Sequence, residues 1–393
     1  MKLLMVGTGV VPIPPRFGGG TEIFLYEISR FVSRKFSTLL VDRRWPGTLP
    51  EEEREGIKFI RVRVPKFDNV FLLRLTEFLL GLRALVEAYR RRVDLVHLHT
   101  PFTALPFALF RFLLPSKTRL LYTCHNPAWT VFDDELDPFN LLIERLEGYV
   151  MKKVDIVTTD SKTSRAWILR KIFLPATRVI SIYNFVDLER FSKAPRGAWK
   201  KGRGIKGPVI LYASKLTRAK GIDVFIKAVR LVKEEFPYAK FVVVGPVSFE
   251  RKAKNPWIRL AEEEGVMGDI IFTGAVSEEE YPLIFASADV FCLPTQRETF
   301  CIAIAEAMAA GLPVVTSDLE ALREVADGGA VFVRKGEVKE VAEALKKLLR
   351  LKILKNKLGK LAQKKARKYD KRKVLPVYLA LYSHLVKTVS KRG

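Results

Sequence analysis

A chain of 393 residues is longer than one ordinary core can organise and reads as two domains, with a hydrophobic fraction of 48% sufficient to fill both. The 68 Lys and Arg against 43 Asp and Glu leave a net charge of +25, which calls for phosphates, nucleic acid or an anionic membrane, or else for the solvated, lysine-rich surface of a hyperthermophile protein. No stretch reaches about 18 uninterrupted apolar residues, since Arg74, Glu77 and Arg111 break the longest, so no transmembrane helix is expected.

Short apolar, β-rich segments alternate with helical stretches along the whole chain. Residues 1–7 read as a first strand, 3–6, better than as a signal peptide, and the protein is expected to stay in the cytosol. After it, Gly18, Gly19, Gly20, Thr21 and Glu22 open a helix over 21–32. Glycines there let a phosphate or sugar approach the backbone with helix amides behind it; the alternative is a flexible turn capped by Thr21. Strands follow at 38–41 and 58–62, then a helix over 72–91. The surrounding sequence, 70–92, is rich in Leu, Phe and Arg and packs on the sheet in the preferred reading; in the alternative it lies on an anionic membrane.

Strands follow at 95–99, which holds two histidines, and at 119–123, with a third histidine just beyond it. His97 and His99 alternate among apolar neighbours and read as core-edge residues, whereas His125 stands at a strand end, followed by Asn126. An imidazole there donates to a sugar hydroxyl or a diphosphate oxygen, or is structural. The acidic run 133–137 reads as a solvated loop or an acceptor contact. A helix over 140–152 and strands at 156–159 and 179–182 complete the first half. Residues 193–207, with one Pro, four Gly and six Lys or Arg and no apolar period, read as an interdomain linker.

The second half repeats the alternation, with strands at 209–212, 241–244, 270–272, 290–293, 314–316 and 330–332, helices over 221–235 and 278–287, a basic helical stretch over 338–367 and a last amphipathic helix over 374–389. Such alternation is the signature of two parallel-sheet α/β domains, whose ligands bind beyond the carboxyl ends of the strands. One strand-end loop holds Ser214, Lys215 and Lys220, a clamp for a diphosphate or a solvated basic loop. Another runs from Arg297 through Glu298, Thr299, Phe300 and Cys301 into a helix at Ile302 that contains Glu306 and stops at Gly311 and Pro313. A carboxylate accepts two hydrogen bonds in a fork, which suits vicinal hydroxyls, and amides at the helix start suit a phosphate. Cys124, Cys292 and Cys301 lie far apart without metal spacing, and neither they nor the four histidines suggest a metal site.

Together these pieces resemble the family 4 retaining glycosyltransferases over nearly the whole chain: the glycine-rich loop with Glu22, strand-end His125, the segment 182–187 with Phe191, the two-lysine loop, Gly274, and the paired glutamates followed by Ala307, Met308, Ala309, Ala310, Gly311, Leu312 and Pro313, in the family's order. The resemblance implies the two-domain GT-B fold, with an acceptor domain at 1–192, the linker at 193–207, a donor domain at 208–372 and a C-terminal helix at 373–393 packing back on the first domain. It implies that Glu298 binds hydroxyls of the donor sugar, Glu306 the nucleoside ribose, and Lys215 and Lys220 the donor diphosphate. Gly19, Gly20, Ser214, Thr299, Phe300, Cys301 and Ile302 line the donor; Gly18, Glu22, His125 and Asn126 face the acceptor. His125, Glu298, Lys215 and Lys220 are the expected catalytic set.

The expected reaction moves a sugar from a nucleotide sugar to an acceptor hydroxyl with retention, without metal or cofactor. The acceptor is a glycan, glycolipid or polyprenyl- or lipid-linked glycan, with peripheral contact to an anionic membrane. Rival readings are a GT-B phosphorylase using a sugar phosphate and a phosphate-tracking nucleic-acid binder, the second lacking that class's ordered basic and aromatic motifs. The chain departs from the family pattern at Ser214-Lys215, usually Gly-Arg, at Cys301, usually glycine, and at Glu320-Ala321, usually paired glycines.

Overall fold

Six of the eight strands in the first sheet are buried along most of their length, and short apolar runs such as Leu3 to Val6 and Leu39 to Val41 form their centres. The computed structural model describes residues 1–15, 19–65, 70–127, 138–246 and 255–390. The first sheet contains β1 (Lys2–Val6), β2 (Ser37–Arg43), β3 (Glu51–Arg54), β4 (Ile57–Val62), β5 (Leu95–Leu98), β6 (Arg119–Cys124), β7 (Ile156–Thr159) and β8 (Val179–Ser181), in the order β3-β4-β2-β1-β5-β6-β7-β8. All neighbours are parallel except β3 and β4.

Strand β3 was not expected. Its Glu51-Glu52-Glu53-Arg54 has no apolar alternation, yet the turn at Glu55 and Gly56, both at positive φ, folds it back on β4. Lys58 to Glu51 at 2.9 Å and Arg61 to Glu52 at 2.7 Å hold it there. A charged edge of this kind resists pairing with other chains.

Helices α1 (Gly20–Val32), α2 (Val70–Arg91), α3 (Pro101–Leu109), α4 (Pro138–Lys153) and α5 (Lys162–Ile172) accompany this sheet. Leu80, Ala84, Leu85 and Ala88 of α2 enter the core with Leu4, Val6 and Leu98, so α2 packs on the sheet as preferred above. Its outer face leaves Leu72, Leu75, Arg83, Val86, Tyr89 and Arg90 exposed. Helix α3 is apolar all round and contains Pro106, so periodicity did not reveal it; Thr100 caps it by accepting from Thr103 N.

The second sheet is all parallel: β9 (Val209–Ala213), β10 (Lys240–Val244), β11 (Ile270–Gly274), β12 (Val290–Leu293), β13 (Val314–Ser317) and β14 (Ala330–Val333), in the order β11-β10-β9-β12-β13-β14. Its helices are α6 (Leu188–Ser192), α7 (Ala198–Gly202), α8 (Ile222–Lys233), α9 (Pro256–Glu263), α10 (Glu280–Ser287), α11 (Ile302–Ala309), α12 (Glu320–Ala326), α13 (Val338–Arg350) and α14 (Lys352–Ala366), the basic stretch breaking at Leu351. Contacts divide the chain into one unit of Met1–Asn184 with Arg372–Gly393 and another of Phe185–Lys371; the last helix, α15 (Lys371–Ser390), therefore belongs almost wholly to the first unit.

Residues 193–207, read above as a linker, lie inside the second unit. Trp199 of α7 is buried there and donates from Nε1 to Glu280 Oε1 at 2.7 Å, while Lys200 pairs with Asp289 at 3.6 Å. One aromatic anchor replaces the apolar period that the composition lacks. The run 133–137 and Gly18 lie outside the described residues.

Helices α2 and α3 approach closely at Gly81, where a Cβ would lie 2.4 Å from the Thr103 carbonyl oxygen. Alanine normally gains about 1 kcal/mol over glycine inside a helix, but here it must push two helices apart. Gly81→Ala is expected to destabilise the protein by about 1–3 kcal/mol in chemical denaturation. A raised midpoint would contradict the close approach.

Candidate functional site

In the second unit the strand order reverses between β9 and β12, so the loops leaving these two strands diverge to opposite faces and leave a crevice between them. The Tyr212 hydroxyl, at the end of β9, donates to the carbonyls of Lys215 at 3.3 Å and Lys220 at 3.2 Å, tying both ends of the two-lysine loop. Gly221 sits at φ 69°, and a Cβ there would lie 1.9 Å from the Pro294 carbonyl. Only glycine lets this loop lie so close to the one after β12. Two bonds to the Ala219 carbonyl, from Gln296 N and Thr295 Oγ1, both at 2.9 Å, complete the seam.

The seam brings Lys220 Nζ to 2.6 Å from Glu298 Oε1. Burial acts against the ammonium, but the Glu298 charge and hydrogen bond, with Cys301 nearby, outweigh it and raise its pKa. Lys215 is exposed and Ser214 half-buried on the same loop. Thr299 and Phe300 are buried, the Phe300 ring edge-on to Tyr369 at 5.0 Å. Cys301 caps α11 in the left-handed conformation at φ 65°, which explains why glycine is usual here; burial, and then the Glu298 charge, push its thiol well up. From Ile302 the helix carries Glu306 one turn inward, where Oε2 accepts from the Tyr281 hydroxyl at 3.0 Å. Burial raises the Glu306 pKa to about 7 despite the hydrogen bond from Tyr281 and the Arg190 charge.

Thus Lys220 and Glu298 come together, while Glu306 has a partner of its own, Tyr281 on α10. Sequence reasoning missed Tyr212, Tyr281 and Arg190. Tyr281 lies on an expected helix, but nothing local says that its hydroxyl meets a carboxylate 25 positions away.

In the first unit the order reverses between β1 and β5. Gly19 is in the left-handed region and Gly20 opens α1. The Glu22 carboxylate is buried and accepts from Thr8 Oγ1, so it fixes the loop after β1. His125 leaves the end of β6, with Asn126 exposed beside it. Its Nε2 lies 3.2 Å from His99 Nδ1, and Phe24 of α1 stands edge-on to its ring at 4.8 Å. Burial lowers the His125 pKa to about 4, so the imidazole is neutral at pH 7.

His97 and His99 are buried, as core-edge residues are, but with different surroundings. His97 uses both nitrogens, at 2.6 Å from Tyr382 on α15 and 2.6 Å from Thr123, and its ring lies against that of His99, tilted by 45° with the centroids 4.0 Å apart. Burial, then the neighbouring imidazoles, hold both rings neutral.

The family described as Glycosyl transferases group 1 matches residues 196–365, and that described as Glycosyltransferase Family 4 matches 18–190. A phosphatidyl-myo-inositol mannosyltransferase of Mycobacterium leprae is 28% identical over 307 residues, 76% of this chain and 75% of that one. The structure of sucrose-phosphate synthase from Thermosynechococcus elongatus superposes with a TM-score of 0.86 at 18% identity, covering 98% of this chain and 99% of the other. HepE of Anabaena, in complex with UDP-glucose, gives 0.77 at 19% identity with complete coverage of both chains, 100% each.

The Glu306 carboxyl titrates near 4.5 ordinarily and about 7 in the fold. A raised carboxyl contributes stability that is full below pH 4.5 and lost as pH rises through 7. Glu306→Gln is therefore expected to raise the thermal midpoint at pH 8, by the equivalent of about 1–3 kcal/mol, and to have little effect at pH 4.5. An equal shift at both values would show that the carboxyl does not titrate in this range.

Proposed function

We infer the reaction from one premise, that the chain belongs to glycosyltransferase family 4 and has the two-domain GT-B fold: it transfers a sugar from a nucleotide-sugar donor to an acceptor hydroxyl, with retention at the anomeric carbon. The observation that carries this reading is the Lys220–Glu298 pair at the point where the second sheet reverses. A cation and a carboxylate side by side match a ligand in which a diphosphate adjoins a ring of hydroxyls. The complex of HepE with UDP-glucose supports a donor of that class.

In this mechanism Lys220 and Lys215, with the amides at the start of α11, stabilise the diphosphate as it leaves, where charge develops in an oxocarbenium-like transition state. Glu298 accepts hydrogen bonds from sugar hydroxyls and Glu306 from the ribose. The bond from the anomeric carbon to the phosphate oxygen breaks, the bond to the acceptor oxygen forms on the same face, and the acceptor's proton passes to the departing phosphate. Neutral His125 and Asn126 orient the acceptor. The reaction needs no metal in this reading, because lysines and helix amides supply the positive field.

Replacing Glu298 by Gln keeps the shape and removes the charge. A charged hydrogen bond contributes about 1.5–3 kcal/mol, so transfer should fall roughly 10- to 150-fold while the protein stays folded. Wild-type turnover with a panel of nucleotide sugars would remove Glu298 from the donor site. Transfer should also persist in excess chelator; loss that magnesium restores would contradict the metal-free mechanism.

The acceptor is proposed to be carried by a lipid at an anionic membrane on the cytoplasmic side. The lipid named in the M. leprae relative supports this, as does the exposed face of α2, where Leu72, Leu75 and Tyr89 accompany Arg83 and Arg90. Among the described residues no helix is long and apolar enough to cross a membrane. Basic residues near an anionic surface contribute about 1 kcal/mol each, so low-salt flotation should recover the protein with anionic vesicles and lose it when Arg83, Arg90 and Arg92 become Gln. Equal recovery with neutral vesicles would mean that the charge serves solvation.

A further inference from the structure

A cavity of about 180 Å³ opens in the first unit at the carboxyl ends of β5 and β6, walled by Arg74, His99, Thr100, Phe102, His125 and Glu147. That is room for about six waters, well below the roughly 300–1,000 Å³ of a drug-sized pocket. Two nitrogens of its wall have no hydrogen-bond partner, His99 Nε2 and Arg74 Nε. His99 is only 4% exposed, and its other nitrogen is taken by His125 at 3.2 Å. Buried polar atoms are rarely left so unless a ligand or an ordered water completes them. The contrast with His97 is instructive: two positions away, equally buried, and satisfied on both sides.

The charge of the wall decides what that ligand is. Arg74 Nη1 already meets both oxygens of Glu77, at 3.1 and 3.0 Å, and the Glu147 carboxylate stands across the cavity, accepting from the Tyr122 hydroxyl at 2.7 Å. An anion would therefore find no net positive charge, and the imidazoles beside it are neutral. Hydroxyl groups, in contrast, can donate to or accept from an imidazole nitrogen and accept from a guanidinium N–H. The Phe102 ring, with the Arg74 guanidinium 5.4 Å from its centroid, gives an apolar surface for C–H groups.

We propose that this cavity binds an uncharged polyol ring, such as one sugar residue of the acceptor, and that His99 Nε2 and Arg74 Nε hold its hydroxyls. The assignment rests on the glycosyltransferase reading above and gives His99 a binding role that its sequence pattern did not suggest.

The test uses the full chain, methyl α-glucoside, methyl α-mannoside and methyl α-galactoside as uncharged probes, the matching sugar 1-phosphates as charged ones, and UDP, GDP and ADP as reports on the second unit. At least one methyl glycoside should shift the His99 side-chain nitrogen resonances, and its affinity should fall about tenfold in His99→Phe, which keeps a ring but no nitrogen, and in Arg74→Lys, which keeps the charge but loses Nε. Unchanged nucleoside diphosphate affinity and unchanged thermal midpoint would show that both variants are folded. Tighter binding of the sugar phosphates would overturn the uncharged class, and unaltered glycoside affinity in both variants would overturn the two residues. If a nucleoside diphosphate (UDP, GDP or ADP) binds and no glycoside perturbs His99, the cavity assignment fails and the transferase reading stands; if none of the three binds either, both fall.

Discussion

A parallel sheet wound in both directions has a place where two adjacent strands send their connections to opposite faces, and the candidate site residues of this protein gather at two such places. At β1 and β5 they admit the loop fixed by Glu22 and the strand end at His99; at β9 and β12 they admit the two-lysine loop and the segment leading to Glu298. The crevice follows from strand order alone, but its contents do not. A half-buried ion pair contributes little to stability once desolvation is counted. The Lys220–Glu298 pair makes better sense as a pre-set arrangement of opposite charges, held by the Tyr212 hydroxyl and by a glycine no other residue can replace without displacing Pro294.

At the ends of β5 and β6 the first unit also brings uncharged polar groups together. Three imidazoles lie close together, and burial keeps them from carrying protons at neutral pH. A neutral ring can donate from one nitrogen and accept at the other, so each histidine has to be satisfied twice. His97 achieves this with Tyr382 and Thr123, which fixes its plane; His99 packs at a tilt against that fixed ring and in turn hydrogen-bonds His125. Ring orientation is thereby passed outward from a residue that touches no solvent.

What could be read from the sequence follows the reach of each signal. Short apolar, β-branched runs spaced by helical stretches made thirteen of the strands legible, because most of these strands are buried along much of their length. Strand β3 escaped because its pairing comes from a turn and two ion pairs rather than from its own residues. Helix α3 escaped because an all-apolar helix has no period, and the tract around Trp199 because a single side chain anchors it. Glu298 and Glu306 were legible as residues at a loop-to-helix junction, and Lys220 as one of a basic loop. That Lys220 meets Glu298 and that His97 meets Tyr382 were not legible, since these partners lie 78 and 285 residues apart. Long-range hydrogen bonds leave no local trace.

The first unit is discontinuous, its sheet built from residues up to Asn184 and its last helix from Arg372 onward. Order of completion is therefore the reverse of order of synthesis. The unit that begins at Phe185 has all its strands and helices by Lys371, while the one that starts at Met1 still lacks the helix whose Tyr382 seats His97. At roughly 5–20 residues per second the sheet emerging first waits on the order of ten to forty seconds for that helix. During that interval the face of β5 and β6 that Tyr378 and Tyr382 will cover stands open, with polar groups of Thr123 and His97 that water can satisfy until the tyrosines arrive. The seam that closes the first unit thus joins residues 285 positions apart through a polar contact, so the final docking of this domain is directed by a hydrogen bond as well as by apolar area.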